Sequence, residues 1–304
     1  MENKRSIEYY ESRMWDVKLE DITSDKENAE NLRKLRDNDP HFTSIVLTGY
    51  AMDDDFLVSN DDDLGWLGYF IGRSSQLKEL NIYTWLEEDV DDAKIDALAQ
   101  GISLNRSIST LGIYGNLDFF LQRLGRFLRG LTHLHLSDSD IGLASARNLA
   151  VMLQGMFLEN LRIERLCYDS DSDSFFDEGA VTADVMAALK THTKLEHLDL
   201  WNCNLDRCSC MALGKLSSLK ELYLFHSNVD DEGMKALVGA MENSNALEVL
   251  DISENTSITA HGLSSLASLL QSEKCCLREL TLRDIRIGDD GAAALAEARL
   301  GINH

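Results

Sequence analysis

The sequence is short of positive charge. It carries 29 Lys and Arg against 52 Asp and Glu, a formal net charge of −23. Phosphates are repelled by such a surface, so neither nucleic acid nor an anionic membrane is expected as a partner, while a basic protein is compatible with it. Long apolar runs are missing too. No stretch is long enough to span a bilayer, and the N-terminal segment MENKRSIEYYESRMW lacks the apolar centre of a secretory signal. The six cysteines, Cys167, Cys203, Cys208, Cys210, Cys275 and Cys276, form no CxxC pair. In a chain without a signal they are expected as reduced thiols in the cytoplasm, with the nucleus equally compatible. Nucleophile elbow, Walker loop, HExxH and zinc-finger spacings are all absent, so no catalytic residue, metal site or cofactor is expected.

What is present is a pattern. The stretch Leu195 to Val229 reads LEHLDLWNCNL, a spacer of helical composition, then LKELYLFHSNV. Counting from Leu195, apolar or small residues stand at positions 1, 4, 6, 9 and 11: Leu195, Leu198, Leu200, Cys203 and Leu205. Leu219, Leu222, Leu224, Ser227 and Val229 repeat them. This is the spacing L-x-x-L-x-L-x-x-N/C-x-L. Eight further units can be placed, with first positions at Met14, Phe42, Leu77, Ile108, Leu131, Leu158, Leu247 and Leu277. From 14 to 277 in nine steps, the mean period is about 29 residues.

Alternate side chains of a strand point the same way, so positions 4 and 6 face inward together and positions 3, 5 and 7 face out. The spacers carry apolar residues at helical intervals, as in Gly233, Leu237 and Met241, or Gly262, Leu266 and Leu270. Each unit is therefore expected to be a strand and a returning helix. Helices are wider than the strand spacing, so the expected architecture is a curved α/β solenoid of about ten units, with a parallel sheet on its concave side and helices on its convex side. Residues 1–41 are expected to form an arm and a degenerate capping repeat, its strand set by Met14, Val17, Leu19 and Ile22. Residues 42–304 are expected to form the solenoid itself.

The chain resembles the ribonuclease-inhibitor-like branch of leucine-rich repeats. The long period, the full helix per unit, and the segments VDDEGMKALVGAM and IGDDGAAALAEA carry the resemblance. It implies a binding solenoid. Members include ribonuclease inhibitors, receptor sensor domains, actin-filament capping proteins and activators of the small GTPase Ran. The leading expectation is a non-enzymatic protein-binding scaffold or regulatory subunit that works through its concave face. The alternatives are a Ran-directed GTPase activator and a receptor sensor fragment. The departures are spacings from 23 residues (Ile108 to Leu131) to 37 (Leu158 to Leu195), and Asn at position 9 only at Asn116 and Asn255. Where Cys203 or Ser227 replaces Asn, an irregular turn ladder is expected.

Position 7 holds Tyr83 and Tyr114 in adjacent units, and Trp201 and Phe225 in two others. Outward aromatics on an open sheet have no core to fill, and such residues anchor protein interfaces. Trp201, Tyr223 and Phe225 are the expected main contact with a protein partner. Tyr83 and Tyr114 are a second one, with His197 and His226 nearby. The last strand, near Leu280, is expected to leave a sheet edge open to self-association. Three other features stand out. The acidic insertion Asp169 to Glu178 carries Ser170 and Ser174, each with an Asp three residues on, and its EF-hand match fails at Ser174 and Ala180. The segment Phe119 to Gly130 carries an Arg123, Arg126 and Arg129 stripe, and His133 and His135 lie too far from His197 to share a metal.

Overall fold

The computed structural model describes residues 7–49, 55–59, 63–83, 92–115, 130–137, 143–165, 178–241 and 246–300. The chain divides into two compact units, unit 1 from Met1 to His135 and unit 2 from Leu136 to His304. The division falls inside one strand, β5 (His133–Ser137).

Unit 1 opens with helices: α1 (Ile7–Arg13), a 3-10 turn (Leu19–Asp21) and α2 (Lys26–Arg36). The strand expected around Val17 and Leu19 is not there. Leu19 and Ile22 are three residues apart, which suits one turn of helix, and both are buried. Met14, Leu19 and Ile22 are buried, from turn and 3-10 backbone. Asp25 caps α2 by accepting from the backbone N–H groups of Glu27 and Asn28.

Next come β1 (Ser44–Thr48), β2 (Phe56–Leu57), α3 (Leu64–Arg73), β3 (Glu79–Tyr83), α4 (Asp92–Ile102) and β4 (Thr110–Tyr114). The strands lie parallel in the order β2-β1-β3-β4. The two-residue β2 arises in the acidic connection that the sequence pattern assigns to no strand. Its Phe56 is fully buried. Asn28 then acts as a strand mimic: its Oδ1 accepts from Leu57 N at 2.9 Å and its Nδ2 donates to Leu57 O at 2.7 Å. An edge that would invite pairing is thereby occupied by an amide side chain. On the helix side, Tyr10 of α1 packs edge-on against Trp66 (4.8 Å between centroids) and stacks on Tyr69 (5.3 Å).

Unit 2 contains α5 (Leu143–Leu153), β6 (Asn160–Glu164), α6 (Glu178–Leu189), β7 (His197–Trp201), α7 (Arg207–Leu213) and β8 (Glu221–Tyr223). It continues with α8 (Asp231–Met241), β9 (Val249–Asp251), α9 (Ala260–Leu270), β10 (Glu279–Thr281) and α10 (Gly288–Leu300). Strands β6 to β10 follow one another in parallel. The register joins Leu161, Leu198, Leu222, Leu250 and Leu280 in one row. Position 4 and position 6 residues of β7 to β9 are fully buried, as alternation requires. Helices α8 and α9 bury Gly233, Leu237, Met241, Gly262 and Leu266, the faces read from their spacing. Gly262 is needed for close approach, because a Cβ there would lie 2.6 Å from Oδ1 of Asp231. That same oxygen accepts from Thr259 N and Gly262 N, so α8 caps the start of α9.

The position 9 ladder is regular where irregularity is expected. Asn255 donates to Leu224 O and Ile252 O and accepts from Ser227 N and Val229 N. One unit earlier, the Ser227 hydroxyl donates to Leu200 O at 2.6 Å and accepts from Cys203 N. One unit earlier again, the Cys203 thiol reaches Ile163 O at 3.5 Å. A hydroxyl and a thiol do part of the work of the amide, because all three side chains are fully enclosed and can reach the same backbone carbonyls.

In the last unit Leu280 and Leu282 are half-buried, whereas Leu250 and Ile252 one unit earlier are fully buried. Among the described residues β10 pairs with β9 alone. Asn116, the Phe119–Arg129 stripe and residues 169–177 of the acidic insertion lie outside the described residues. No described helix is long and apolar enough to cross a membrane.

Candidate protein-binding face

The sheet places the two aromatic pairs as their register demands. In unit 1, Tyr83 and Tyr114 are cross-strand partners. Their rings stack at 4.5 Å between centroids and 12° between planes. His135 stands edge-on to Tyr114 at 4.9 Å, and its Nδ1 lies 3.1 Å from the Tyr114 hydroxyl. Gly112 makes this possible. A methyl group at 112 would meet the Asn81 amide oxygen and would lie 2.7 Å from the Tyr114 ring. Tyr114 therefore rests on the backbone of its own strand.

In unit 2, Trp201 and Phe225 meet edge to face at 5.9 Å, and Trp201 remains 41% exposed. Position 7 is otherwise less open than alternation suggests. Thr48, Ser137, Glu164 and Ser253 are all buried there. In unit 2 the small or acidic ones are tied down by hydrogen bonds, Ser137 donating to Glu164 and Ser253 accepting from Arg283 N. Only the large residues of this row stand clear.

Tyr223 lies one position row away from Phe225. Its hydroxyl donates to Oε2 of Glu221 at 3.0 Å. Burial, then the Glu221 carboxylate, pushes its phenol up to about 12. His197 holds the same carboxylate, Nδ1 to Oε2 at 2.9 Å, and that bond lowers the Glu221 pKa. His226 lies 3.3 Å from Oε2 of Glu254. The two histidines and Tyr223 are thus engaged with carboxylates around the aromatic pair.

Charged residues not singled out in the sequence complete the face. Asp199, at position 5 of β7, is pushed up to about 6 by burial, with Arg162 opposing and Glu164 and Asp251 adding to the shift. Arg162 reaches Glu164 at 2.6 Å and Asp199 at 3.3 Å. One guanidinium thus serves two carboxylates. Asp251 stands on β9 at position 5 and Glu279 on β10 at position 3. The signal was in the same register: positions 3 and 5 of β6 to β10 read Asn160/Arg162, His197/Asp199, Glu221/Tyr223, Val249/Asp251 and Glu279/Thr281. Among the described residues no group of three or more His, Cys, Asp or Glu side chains could hold a metal ion.

A model of the leucine-rich repeat matches residues 215–238, 243–267 and 273–296. NACHT, LRR and PYD domains-containing protein 13 of Homo sapiens is 31% identical over 202 residues. The ribonuclease inhibitor of Sus scrofa is 31% identical over 205 residues. The chain carries leucine-rich repeats and is similar to proteins of the ribonuclease-inhibitor-like kind. The matched stretches cover 64% and 58% of this leucine-rich-repeat chain but only 18% and 44% of those two relatives. The crystal structure of the Rad7 and Elc1 complex in yeast aligns with a TM-score of 0.55 over 93% of this chain and 68% of that one. At 18% identity that likeness is one of fold.

Proposed function

We propose that this leucine-rich-repeat protein is a non-catalytic binding module, and that its partner is a basic protein docking on the open sheet face of unit 2. The observation that carries the reading is the Trp201–Phe225 pair, edge to face, with Trp201 exposed and Phe225 half-buried among the described residues. Aromatic side chains with a dry contact on one side and water on the other are the usual centres of binding energy. The carboxylates of Asp199, Glu221, Asp251, Glu254 and Glu279 favour a cationic partner and steer its approach. The ribonuclease inhibitors among its relatives bear a name that denotes binding another protein. The free thiols of Cys203, Cys208, Cys210, Cys275 and Cys276 support a reducing compartment, which we take to be the cytoplasm.

Affinity capture from the source cell, with wild type, Trp201→Ala and Phe225→Ala side by side, tests the reading. A protein held by wild type is expected to lose about 2 kcal/mol or more of binding to each variant. Both variants should melt within a degree or two of wild type, since neither side chain fills the core. Equal capture by all three would sink the proposal, and so would loss of folding in either variant.

A further inference from the structure

Five successive repeats of unit 2 hold position 8 in the left-handed backbone region: Arg165 (φ 63°), Asn202 (53°), His226 (51°), Glu254 (59°) and Asp284 (57°). Four of them make the same hydrogen bond. The N–H of Arg165 donates to Trp201 O, that of Asn202 to Phe225 O, that of His226 to Ser253 O and that of Glu254 to Arg283 O, at 2.8 to 3.0 Å. The conformation is therefore imposed by the repeat, whatever residue stands there. A side chain with a Cβ is strained in this region, Asn, Asp and His less than others, and glycine not at all. Unit 1 uses Gly115 at this position, with φ 106°. Unit 2 uses glycine at none of its five, and at Arg165 and Glu254 it uses residue types that tolerate the region poorly.

At His226 and Glu254 the core gives nothing in return for the strain. Their side chains are 58% and 38% exposed and touch each other at 3.3 Å. Strain retained at an exposed pair points to contact with something outside the fold. The pair adjoins the aromatic site: His226 follows Phe225 in the chain, and Glu254 follows Ser253, whose carbonyl accepts from His226 N. On a face already rich in carboxylates, a cationic group is the complementary occupant.

We propose that His226 and Glu254 form a second contact of the binding face, receiving an Arg or Lys side chain from a partner segment whose apolar residue sits on Trp201 and Phe225. This rests on the reading of the face given above. The cation takes the Glu254 carboxylate, and His226 turns from its ion partner to the wall of the site.

A phage-displayed random dodecapeptide library, selected on immobilised wild type with Trp201→Ala as counter-selection, supplies the probe. Enriched peptides are expected to combine Arg or Lys with an aromatic or large aliphatic residue. Their affinities are then measured on His226→Gly, Glu254→Gly and Glu254→Gln. Both glycine variants should raise the melting temperature by about 2–4 °C, the shift expected from relieving one strained residue in a unit of this size, and weaken peptide binding roughly tenfold. Glu254→Gln should weaken binding without the rise. If peptides enriched on wild type bind both glycine variants equally, this inference falls and the reading of the face stands. A lower melting temperature in either glycine variant overturns the inference as well, because the side chain then serves the fold. Enrichment of acidic peptides also overturns it. No enrichment over Trp201→Ala overturns the reading and the inference together.

Discussion

Tyr83 and Tyr114 in unit 1 and Trp201 and Phe225 in unit 2 occupy the same repeat position on neighbouring strands, yet the two pairs differ in kind. The tyrosines satisfy each other: they stack, Tyr114 bonds His135, and the ring lies on Gly112. The tryptophan and phenylalanine touch only at an edge and leave much of the indole in water. The difference lies two residues back along the strand. Position 5 beside Tyr114 is Gly112, and position 5 beside Trp201 is Asp199. A glycine lets the aromatic fold down onto the sheet. A half-buried carboxylate holds that floor for a charge network, and the aromatic stays up. A repeat position alone therefore does not set how far an aromatic ring stands from the sheet; its neighbour on the same strand contributes.

The largest break in this comparison is expected at Gly112→Ala. The new methyl group would collide with the Asn81 amide oxygen and the Tyr114 ring. Over-packing of that kind costs about 1–3 kcal/mol. Thermal unfolding should show the loss, and the near-ultraviolet tyrosine dichroism should change as the Tyr83–Tyr114 stack opens. A variant that kept both the stability and the dichroism would show that Gly112 is not what seats Tyr114.

The sequence pattern was enough for nine of the strands, the inward Leu and Ile rows and the helix faces, because those follow from periods of two and nearly four and need no tertiary detail. The same register placed both aromatic pairs on adjacent strands. Three things escaped it. The N-terminal cap used Leu19 and Ile22 in helical backbone, since a three-residue spacing of apolar side chains serves a helical turn as well as a strand end. Strand β2 is held by the Asn28 side chain, a bond across 29 residues that no local pattern records. The contrast between the two aromatic sites depends on what lies under each ring, Gly112 in one case and Asp199 in the other, which a repeat pattern does not record.

A smaller effect should separate the units by pH. Burial pushes Asp199 up to about 6, above its ordinary value. The native state then binds a proton that the unfolded chain does not, in the window between the ordinary aspartate range, about 4, and about 6. Stability contributed at Asp199 therefore rises as pH falls through that window. Above it the ionised form carries a penalty. Asp199→Asn should melt higher than wild type at pH 7, and the gap should shrink toward pH 4. Buried His192 acts with the opposite sign. Its Nε2 donates to Leu153 O, and burial lowers its pKa. The unfolded chain takes that proton first, so stability is lost as pH falls through the ordinary imidazole range, about 6.5. Measuring the difference between Asp199→Asn and wild type cancels the His192 contribution. A gap that stayed constant from pH 7 to pH 4 would refute the assignment to Asp199.

The smallest effect tests whether Tyr223 belongs with the aromatic pair or with the charges. Its hydroxyl is bound to Glu221, and Glu221 keeps a second partner in His197. Removing the hydroxyl in Tyr223→Phe leaves no carboxylate stranded, and the site is partly open to water. The expected change in stability is within about 0.5 kcal/mol, as for other substitutions that leave no buried group unpaired. Tyr114→Phe is the matched control in unit 1. It removes the hydroxyl that faces His135 Nδ1, and a net loss of about 0.5–1.5 kcal/mol is expected. If Tyr223 carries partner contact through its ring, Tyr223→Phe should bind the enriched basic peptides as tightly as wild type while Tyr223→Ala does not. If the phenol itself meets the partner, Tyr223→Phe should lose affinity with its melting temperature intact, which would move Tyr223 from the aromatic anchor into the carboxylate row beside Glu221.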